Sequence, residues 1–580
     1  MSAVPLVPAE LGFDGNSGAK DALAQARTSF LGGNDLLGET ARWRGRDDFA
    51  ILETGFGLGI NFLATWQAWR DDSQRPRRLH FFSIEKHPFR RDDLARGHAT
   101  LPELAPLAPL AEQLRSAWPS LVGGFHRLHF EDGAVTLTVI FGDVHTVVPA
   151  IGGRFDAFYL NDFSPTKHPE MWSASLSEDL AWLSAPTEIP PPISRVAIIG
   201  GGIAGIACAE RLAARGCAVT LFEQHQRLVE ETSGNHQAIL LPVLAVDETR
   251  LSRLNRVAFL YTLRRLGELA AAGHPVEWEQ CGVVQIARDA EHAKKQAAIV
   301  SNQHLPEDFA QFIDAATATE IVGTRVAGDA WWFPSAGWLA PASFAHALLA
   351  AAGTRVDCRL GTHIAALAQQ PDGWQLLDAQ GKALWQGQTV VLAHAHGIRT
   401  LPQAAHLPLR CFRGQVSHLP ESQLAGLPRS VVCREGYLAP PHKGIAGLGA
   451  TFQRSHERLA TVDDHAANLN RLTAMLPEWS GRFVPSELAG RVGLRPVSPD
   501  KLPMLGALPL PTCEPRPLAH VEWPRWPGLH VATGYGARGF VWAPLMAELL
   551  ASQITDTPLP VELELAAAVD PARFTWKGTL

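Results

Sequence analysis

Between Arg195 and Glu223 the chain reads RVAIIGGGIAGIACAERLAARGCAVTLFE, and this segment restricts the fold more than any other. A β-branched run ends in glycines, apolar residues recur at helical spacing as far as Gly216, and AVTLF forms a second strand that stops at Glu223. Gly200, Gly202 and Gly205 stand in G-x-G-x-x-G register within that strand–turn–helix–strand unit. Each glycine has a physical task. Gly200 permits the tight turn, Gly202 lets the backbone approach a pyrophosphate at the helix N-terminus, and Gly205 lets helix and strand pack closely. The Glu223 carboxylate is placed to accept from both ribose hydroxyls, which selects FAD or NAD over NADP.

A second motif of the same general kind lies nearer the N-terminus. FAILE ends at Glu53 and TGFGLG follows, placing Gly55, Gly57 and Gly59 directly after an apolar strand. LHFFSIE is a second strand ending in Glu85, LTVIF leads into Gly142 and Asp143, and DAFYL is a further strand. The proline-rich stretch APTEIPPPIS, residues 185–194, cannot continue a helix and reads as a linker. Residues 1–184 and 195–580 are therefore expected to be two α/β-containing units.

Hydrophobic residues make up 46% of the 580 and charged residues 19%, so large cores can form and global disorder is excluded. The formal charge of -7 argues against attachment to nucleic acid by bulk positive charge. It leaves room for a local patch: Arg70, Arg75, Arg77, Arg78, Lys86, Arg90 and Arg91 fall in two short runs. The seven cysteines are scattered without a CxxC pair, so neither a disulfide framework nor a metal site is expected. The N-terminal residues do not read as a secretory signal and no run of 18 apolar residues occurs, so the expected location is cytoplasmic, away from any membrane. The oligomeric state leaves no mark in the sequence.

The second unit resembles flavoproteins of the glycine oxidase and D-amino-acid oxidase type. The resemblance is carried by Ser233-Gly234-Asn235-His236-Gln237, by the return strand Thr389–Ala395, and by Arg413-Gly414-Gln415-Val416 and Gly436-Tyr437-Leu438-Ala439-Pro440. It is strongest at Gly493-Leu494-Arg495-Pro496 and at Gly534-Tyr535-Gly536-Ala537-Arg538-Gly539, which leads into a helix. It implies an α+β FAD-dependent oxidoreductase. FAD would be held by Gly200, Gly202, Gly205, Glu223, Ser233, Asn235, Arg413, Gly534, Gly536 and Gly539. Arg495 would hold a substrate carboxylate through its two-pronged guanidinium, with Tyr437 beside it.

The first unit resembles Rossmann-like methyltransferases. In that family the positions of Glu53, Gly55, Gly57, Gly59, Glu85 and Asp143 surround S-adenosylmethionine. With Phe30–Leu36 and Phe163–Trp172 added, nearly the whole chain is similar to the bifunctional tRNA wobble-uridine modification family, a methyltransferase fused to a glycine-oxidase-like flavoprotein in this order. The resemblance implies a tRNA partner. It also implies FAD-dependent conversion of 5-carboxymethylaminomethyl-(2-thio)uridine to 5-aminomethyl-(2-thio)uridine, then methylation to 5-methylaminomethyl-(2-thio)uridine. Two departures stand out. The family's Leu-Asp-Gly-Phe is here Leu160-Asn161-Asp162-Phe163, leaving Asp162 as the candidate catalytic acid one position along. Only one short helical stretch, SASLSEDLAWLS, precedes the linker, so the methyltransferase domain is expected to lack strands and to transfer methyl groups more slowly than the flavin half reacts. The competing reading is a free amino-acid or sarcosine-type FAD oxidase whose first domain is a non-catalytic scaffold. The basic runs discriminate, because a small-molecule oxidase has no use for them.

Overall fold

The apolar runs of the first unit line up as a five-stranded sheet in the order Gly124–Phe130, Val135–Phe141, Arg78–Glu85, Asp48–Thr54, Ala157–Tyr159. The structure, a computed structural model, describes residues 22–160, 174–184, 193–424, 426, 428–511 and 522–574. The last four strands of that order are parallel, and Gly124–Phe130 adds an antiparallel edge that the sequence reading did not anticipate. Among the described residues Ala157–Tyr159 is the opposite edge, as a domain lacking later strands requires. Asn161, Asp162, the Phe163–Trp172 motif and residues 185–192 of the linker lie outside the described residues.

A bare sheet edge invites mispairing unless something covers it. Here Phe30 lies against Tyr159 at 5.2 Å, and the Tyr159 hydroxyl lies 3.1 Å from Thr65 Oγ1. Asn34 donates from Nδ2 to the Phe158 carbonyl at 3.3 Å and to the Phe30 carbonyl at 2.9 Å. The FLGGNDL motif thus closes over the edge strand.

The boundaries depart from the sequence reading at one place. The first compact unit comprises Met1–Pro191 with Asp556–Glu564, and the second Pro192–Thr555 with Leu565–Leu580. The returning segment is tied in by backbone groups: buried Arg127 donates to the Pro558 carbonyl at 2.8 Å and the Leu559 amide to the Gly152 carbonyl at 2.8 Å. Assigning all of 195–580 to one unit therefore misplaces nine residues of the chain, 556–564.

In the second unit a six-stranded sheet runs Val356–Arg359, Ala218–Phe222, Arg195–Ile199, Thr389–Leu392, Arg525–Thr533, Met504–Pro509, parallel except for the last pair. An eight-stranded sheet carries Val431–Cys433, Tyr437–Leu438, Ile445–Gly449, Arg410–Pro420 and Ala489–Val497 as consecutive neighbours at one side. The helices Ile203–Ala214, Arg250–Ala271 and Gly539–Ile554 are joined by a buried ionic cluster. Glu548, 1% exposed, accepts from Arg215 at 2.7 Å and from the Tyr261 hydroxyl at 3.3 Å, and Arg211 lies 3.7 Å away. Glu210 pairs with Arg211 and accepts from Arg265 at 2.7 Å. Removing one member of such a set strands the other charges without water. Glu548→Ala is expected to lower the stability of the second unit by about 3–5 kcal/mol, read as an early shift of its urea transition. An unchanged midpoint would show that the cluster is hydrated.

Candidate functional site

The glycine-rich turn after Arg195–Ile199 opens onto a cavity of about 740 Å³ inside the second unit, within the range that holds small molecules and cofactors. Gly200 has φ +116°, and a Cβ there would come within 2.7 Å of the His394 backbone. A Cβ on Gly205 would fall 1.9 Å from the Gly200 carbonyl oxygen. Only glycine allows the helix to start this close to the sheet. The Glu223 carboxylate accepts from the Gly201 amide at 2.7 Å and from the His225 amide at 2.8 Å. A carboxylate has roughly four acceptor positions, so room for two ribose hydroxyls remains. Ser233 Oγ accepts from the Ile203 amide at 3.1 Å and caps the first turn of Ile203–Ala214.

Gly200, Gly202, Glu223, Ser233 and Asn235 line the cavity at one end, and Gly534, Gly536 and Gly539 line it at the start of the helix Gly539–Ile554. The donor set and the cradle fit FAD. The buried hydroxyl of Tyr535, a residue that also lines the cavity, has no hydrogen-bond partner among the described residues. Gly205 sits behind the turn, consistent with its packing task.

Arg413 requires a correction. Its guanidinium is buried in an ion pair with Asp464, donates to Gln415 Oε1 at 2.9 Å and to the Glu457 carbonyl at 3.0 Å, and does not line the cavity. It braces the segment after Ile445–Gly449 and is not a cofactor ligand.

Arg495 differs in every respect. It lies opposite Phe412 in the pairing of Ala489–Val497 with Arg410–Pro420, is 8% exposed and lines the cavity. Among the described residues its one hydrogen bond runs to the Thr451 carbonyl at 3.1 Å, and no carboxylate faces it. Burial lowers its pKa, opposed by the neighbouring Tyr437. Gly414 provides the space: a Cβ there would lie 2.2 Å from Arg495 Nη1. Burial pushes the Tyr437 phenol up to about 12, so it stays protonated beside the guanidinium. Thr451 is a positioning residue that the sequence reading missed, and Gly414, read there only as part of the Arg413–Val416 block, makes the space for the guanidinium.

In the first unit Gly55, Gly57 and Gly59 have φ of +117°, +53° and +72°, which opens the turn between Asp48–Thr54 and the helix Ile60–Asp71. Glu85 accepts from the Gly57 amide at 2.9 Å and from the His87 amide at 2.8 Å, repeating the arrangement of Glu223. Asp143 accepts from the His145 amide at 3.0 Å and pairs with Lys86 at 2.9 Å. Burial raises its pKa, but these contacts outweigh burial and hold the carboxyl below its usual range. Glu85, Asp143 and the open glycines fit S-adenosylmethionine. Glu53 is fully buried and accepts from Asn61 at 2.7 Å and Ser83 at 2.6 Å, so it supports the turn from beneath and is not a ligand of the cofactor.

The basic runs are thinner than their sequence suggests. Arg78 is held by Asp48 at 2.5 Å, Arg77 by Asp47 at 3.3 Å, Lys86 by Asp143 at 2.9 Å, and Arg70 lies 3.4 Å from Glu131. Arg75, stacked 4.4 Å over Trp69, and exposed Arg90 and Arg91 carry no carboxylate partner among the described residues. No helix among the described residues is long and apolar enough to cross a membrane, and none of their His, Cys, Asp and Glu side chains cluster as a metal site.

Comparison with known proteins agrees with this geometry. Residues 195–553 match the family of FAD dependent oxidoreductases, and residues 105–188 match a family of S-adenosyl-L-methionine-dependent methyltransferases. Among solved structures, glycine oxidase from Geobacillus kaustophilus superposes with a TM-score of 0.51 at 22% identity, covering 62% of this chain and 95% of its own. Iminodiacetate oxidase from Chelativorans gives 0.52 at 19%, covering 64% and 98%. These two likenesses show the fold of the second unit. The tRNA 5-methylaminomethyl-2-thiouridine biosynthesis bifunctional protein MnmC of Azoarcus sp. is 41% identical over 631 residues, covering 98% of both chains. Its counterpart in Aromatoleum aromaticum is 41% identical over 602 residues, covering 95% of this chain and 93% of its own. The first alignment is longer than the 580 residues of this chain, so that relative carries segments this chain lacks. With both domains in their expected order and near full-length identity of this size, the chain belongs to the family of bifunctional tRNA 5-methylaminomethyl-2-thiouridine biosynthesis enzymes, an FAD-dependent oxidoreductase joined to an S-adenosylmethionine-dependent methyltransferase.

Proposed function

We propose that the second unit removes the carboxymethyl group from 5-carboxymethylaminomethyl-(2-thio)uridine at the tRNA wobble position. The observation that carries this reading is Arg495: a buried guanidinium lining the cavity with no carboxylate partner among the described residues. Leaving a charge so placed is costly unless a ligand completes the pair. The modified side chain is a glycine attached through its nitrogen, and its carboxylate completes it.

Bound FAD supplies the two-electron acceptor. The protein contributes orientation. Arg495 fixes the carboxylate, the protonated Tyr437 phenol stands beside it as a hydrogen-bond donor, and the carbon between nitrogen and carboxylate is thereby held against the cofactor end of the cavity. The C–H bond breaks with loss of a hydride, nitrogen loses its proton, and a C=N bond forms. Water adds to that carbon and the C–N bond breaks, releasing glyoxylate and the primary aminomethyl nucleoside. The first unit then transfers a methyl group from S-adenosylmethionine to that amine, which must lose a proton in the process. The free amino-acid oxidase reading is disfavoured by the family to which the whole chain belongs.

Arg495→Ala is expected to retain FAD and to lose about 2–5 kcal/mol of transition-state binding, roughly thirty-fold to several-thousand-fold in flavin reduction by carboxymethylaminomethyl tRNA. Anaerobic stopped-flow absorbance measures this, and a near-normal rate in the variant would remove Arg495 from the reaction. In the first unit, Glu85→Ala is expected to weaken S-adenosylmethionine binding by about tenfold, through lost hydrogen bonds to the carboxylate. Calorimetric titration reads this directly. Methyl transfer to aminomethyl tRNA by the parent protein is expected to be slower than flavin reduction, and equal rates would show that the short sheet costs nothing.

Binding of tRNA is expected to weaken with salt. Replacing Arg75, Arg90 and Arg91 by Gln should reduce the log–log salt slope by up to about 2–3 if each meets a phosphate. An unaltered slope would place the tRNA on another face.

A further inference from the structure

We propose that Phe452 is a stacking platform for the wobble pyrimidine and that, beside an Arg495 that holds the carboxylate of either ligand, it distinguishes the tRNA substrate from a free amino acid. The inference deepens the proposed function and rests on it. Phe452 follows Thr451, whose carbonyl accepts from Arg495, and its ring lies 5.8 Å from the Arg495 guanidinium carbon. It lines the same cavity, yet it is 50% exposed. A large aromatic left half in water beside a buried cation is not accounted for by core packing. Its plane is fixed from behind: Phe412 stacks on it with ring centroids 4.4 Å apart and planes 18° apart. Arg454, exposed and without a carboxylate partner among the described residues, stands 5.9 Å from the Phe412 ring. A half-exposed aromatic ring held rigid from behind is the chemistry that takes an unstacked base, and an exposed cation on the supporting ring of the stacked pair suits a neighbouring phosphate.

The dimensions agree. Four bonds separate the substrate carboxylate carbon from C5 of the uracil, about 5 Å when extended. A base tethered by its carboxylate to Arg495 is therefore within reach of the Phe452 ring, 5.8 Å from the guanidinium carbon. A free amino acid fills the Arg495 end and leaves the ring bare.

The test uses the full-length FAD-loaded protein with Phe452→Ala, Phe452→Leu and Phe452→Trp. Two quantities are read: kcat/KM for carboxymethylaminomethyl tRNA, and the Kd of glycolate, a short carboxylate without a base, from its effect on the flavin spectrum. The Ala and Leu variants are expected to lose on the order of ten- to a hundredfold in kcat/KM, the usual worth of one base–aromatic stack. Trp should restore most of it, and the glycolate Kd should stay within about threefold of the parent. Leu keeps the apolar volume, so its loss separates stacking from packing. Ala and Leu variants as active as the parent on tRNA would overturn the proposal. So would a parallel loss of glycolate binding, which would reduce Phe452 to a prop for Arg495. A parent protein whose flavin is not reduced by the tRNA at all overturns the proposed function itself, and that result is seen before any variant is made.

Discussion

Both cofactor turns hang on one hydrogen bond: the carboxylate at the end of the second strand accepts from an amide of the glycine loop. Glu223 takes the Gly201 amide at 2.7 Å and Glu85 the Gly57 amide at 2.9 Å, and each also takes the amide two residues on, His225 and His87. A glycine loop left alone has more conformational freedom to lose than any other kind of backbone. Tethering it to an acid at a fixed strand end places the loop before a cofactor arrives, so less ordering remains to be done on binding. The same acid then has acceptor positions left for ribose hydroxyls. One residue thus shapes the turn and reads the ligand, which explains why the device occurs twice in one chain on two sheets of different size.

The second unit separates buried charges that are matched from one that is not. Glu548 and Glu210 satisfy Arg211, Arg215 and Arg265 among three helices, and Asp464 satisfies Arg413. These sets hold elements together and have nothing left to offer a ligand. Arg495 is the contrast: the Thr451 carbonyl, a protonated phenol and the Phe452 ring are near it, and no carboxylate faces it among the described residues. Stability arguments favour filling such a site, and its persistence next to a cavity marks where binding takes place.

The parts of the fold that were legible in the sequence are those whose cause is local. Gly200 to Glu223 and Glu53 to Glu85 carry strand, turn, helix and acid within a short span, and their spacing alone fixes what they form. Arg495 was reached through its GLRP block. What was not legible depends on partners distant in the chain. Arg413 reads like a site residue until Asp464, 51 residues later, is seen to neutralise it. Arg78 and Arg77 read as a basic face, but Asp48 and Asp47 arrive from 30 residues upstream because the two strands pair in register. The return of Asp556–Glu564 to the first unit leaves no periodic signal, since it is made by backbone groups meeting Arg127 and Gly152.

The first unit shows how a sheet can be shortened without losing its ligand end. The glycine turn, Glu85 and Asp143 lie at or just after the ends of the strands Asp48–Thr54, Arg78–Glu85 and Val135–Phe141, the three central neighbours of the sheet. That Ala157–Tyr159 is the edge among the described residues removes none of them. The loss falls on the far edge, where Phe30 and Asn34 now cover what further strands would have covered. The expected proton acceptor of the chemical step, Asp162, follows this same edge strand in sequence and lies outside the described residues. Among the described residues, the strands that carry the cofactor-side groups have neighbours on both sides, whereas the strand that precedes the expected proton acceptor is an edge. Methyl transfer is the more exposed of the two, since a displacement of about 1 Å at the reacting groups is enough to cost on the order of a hundredfold in rate.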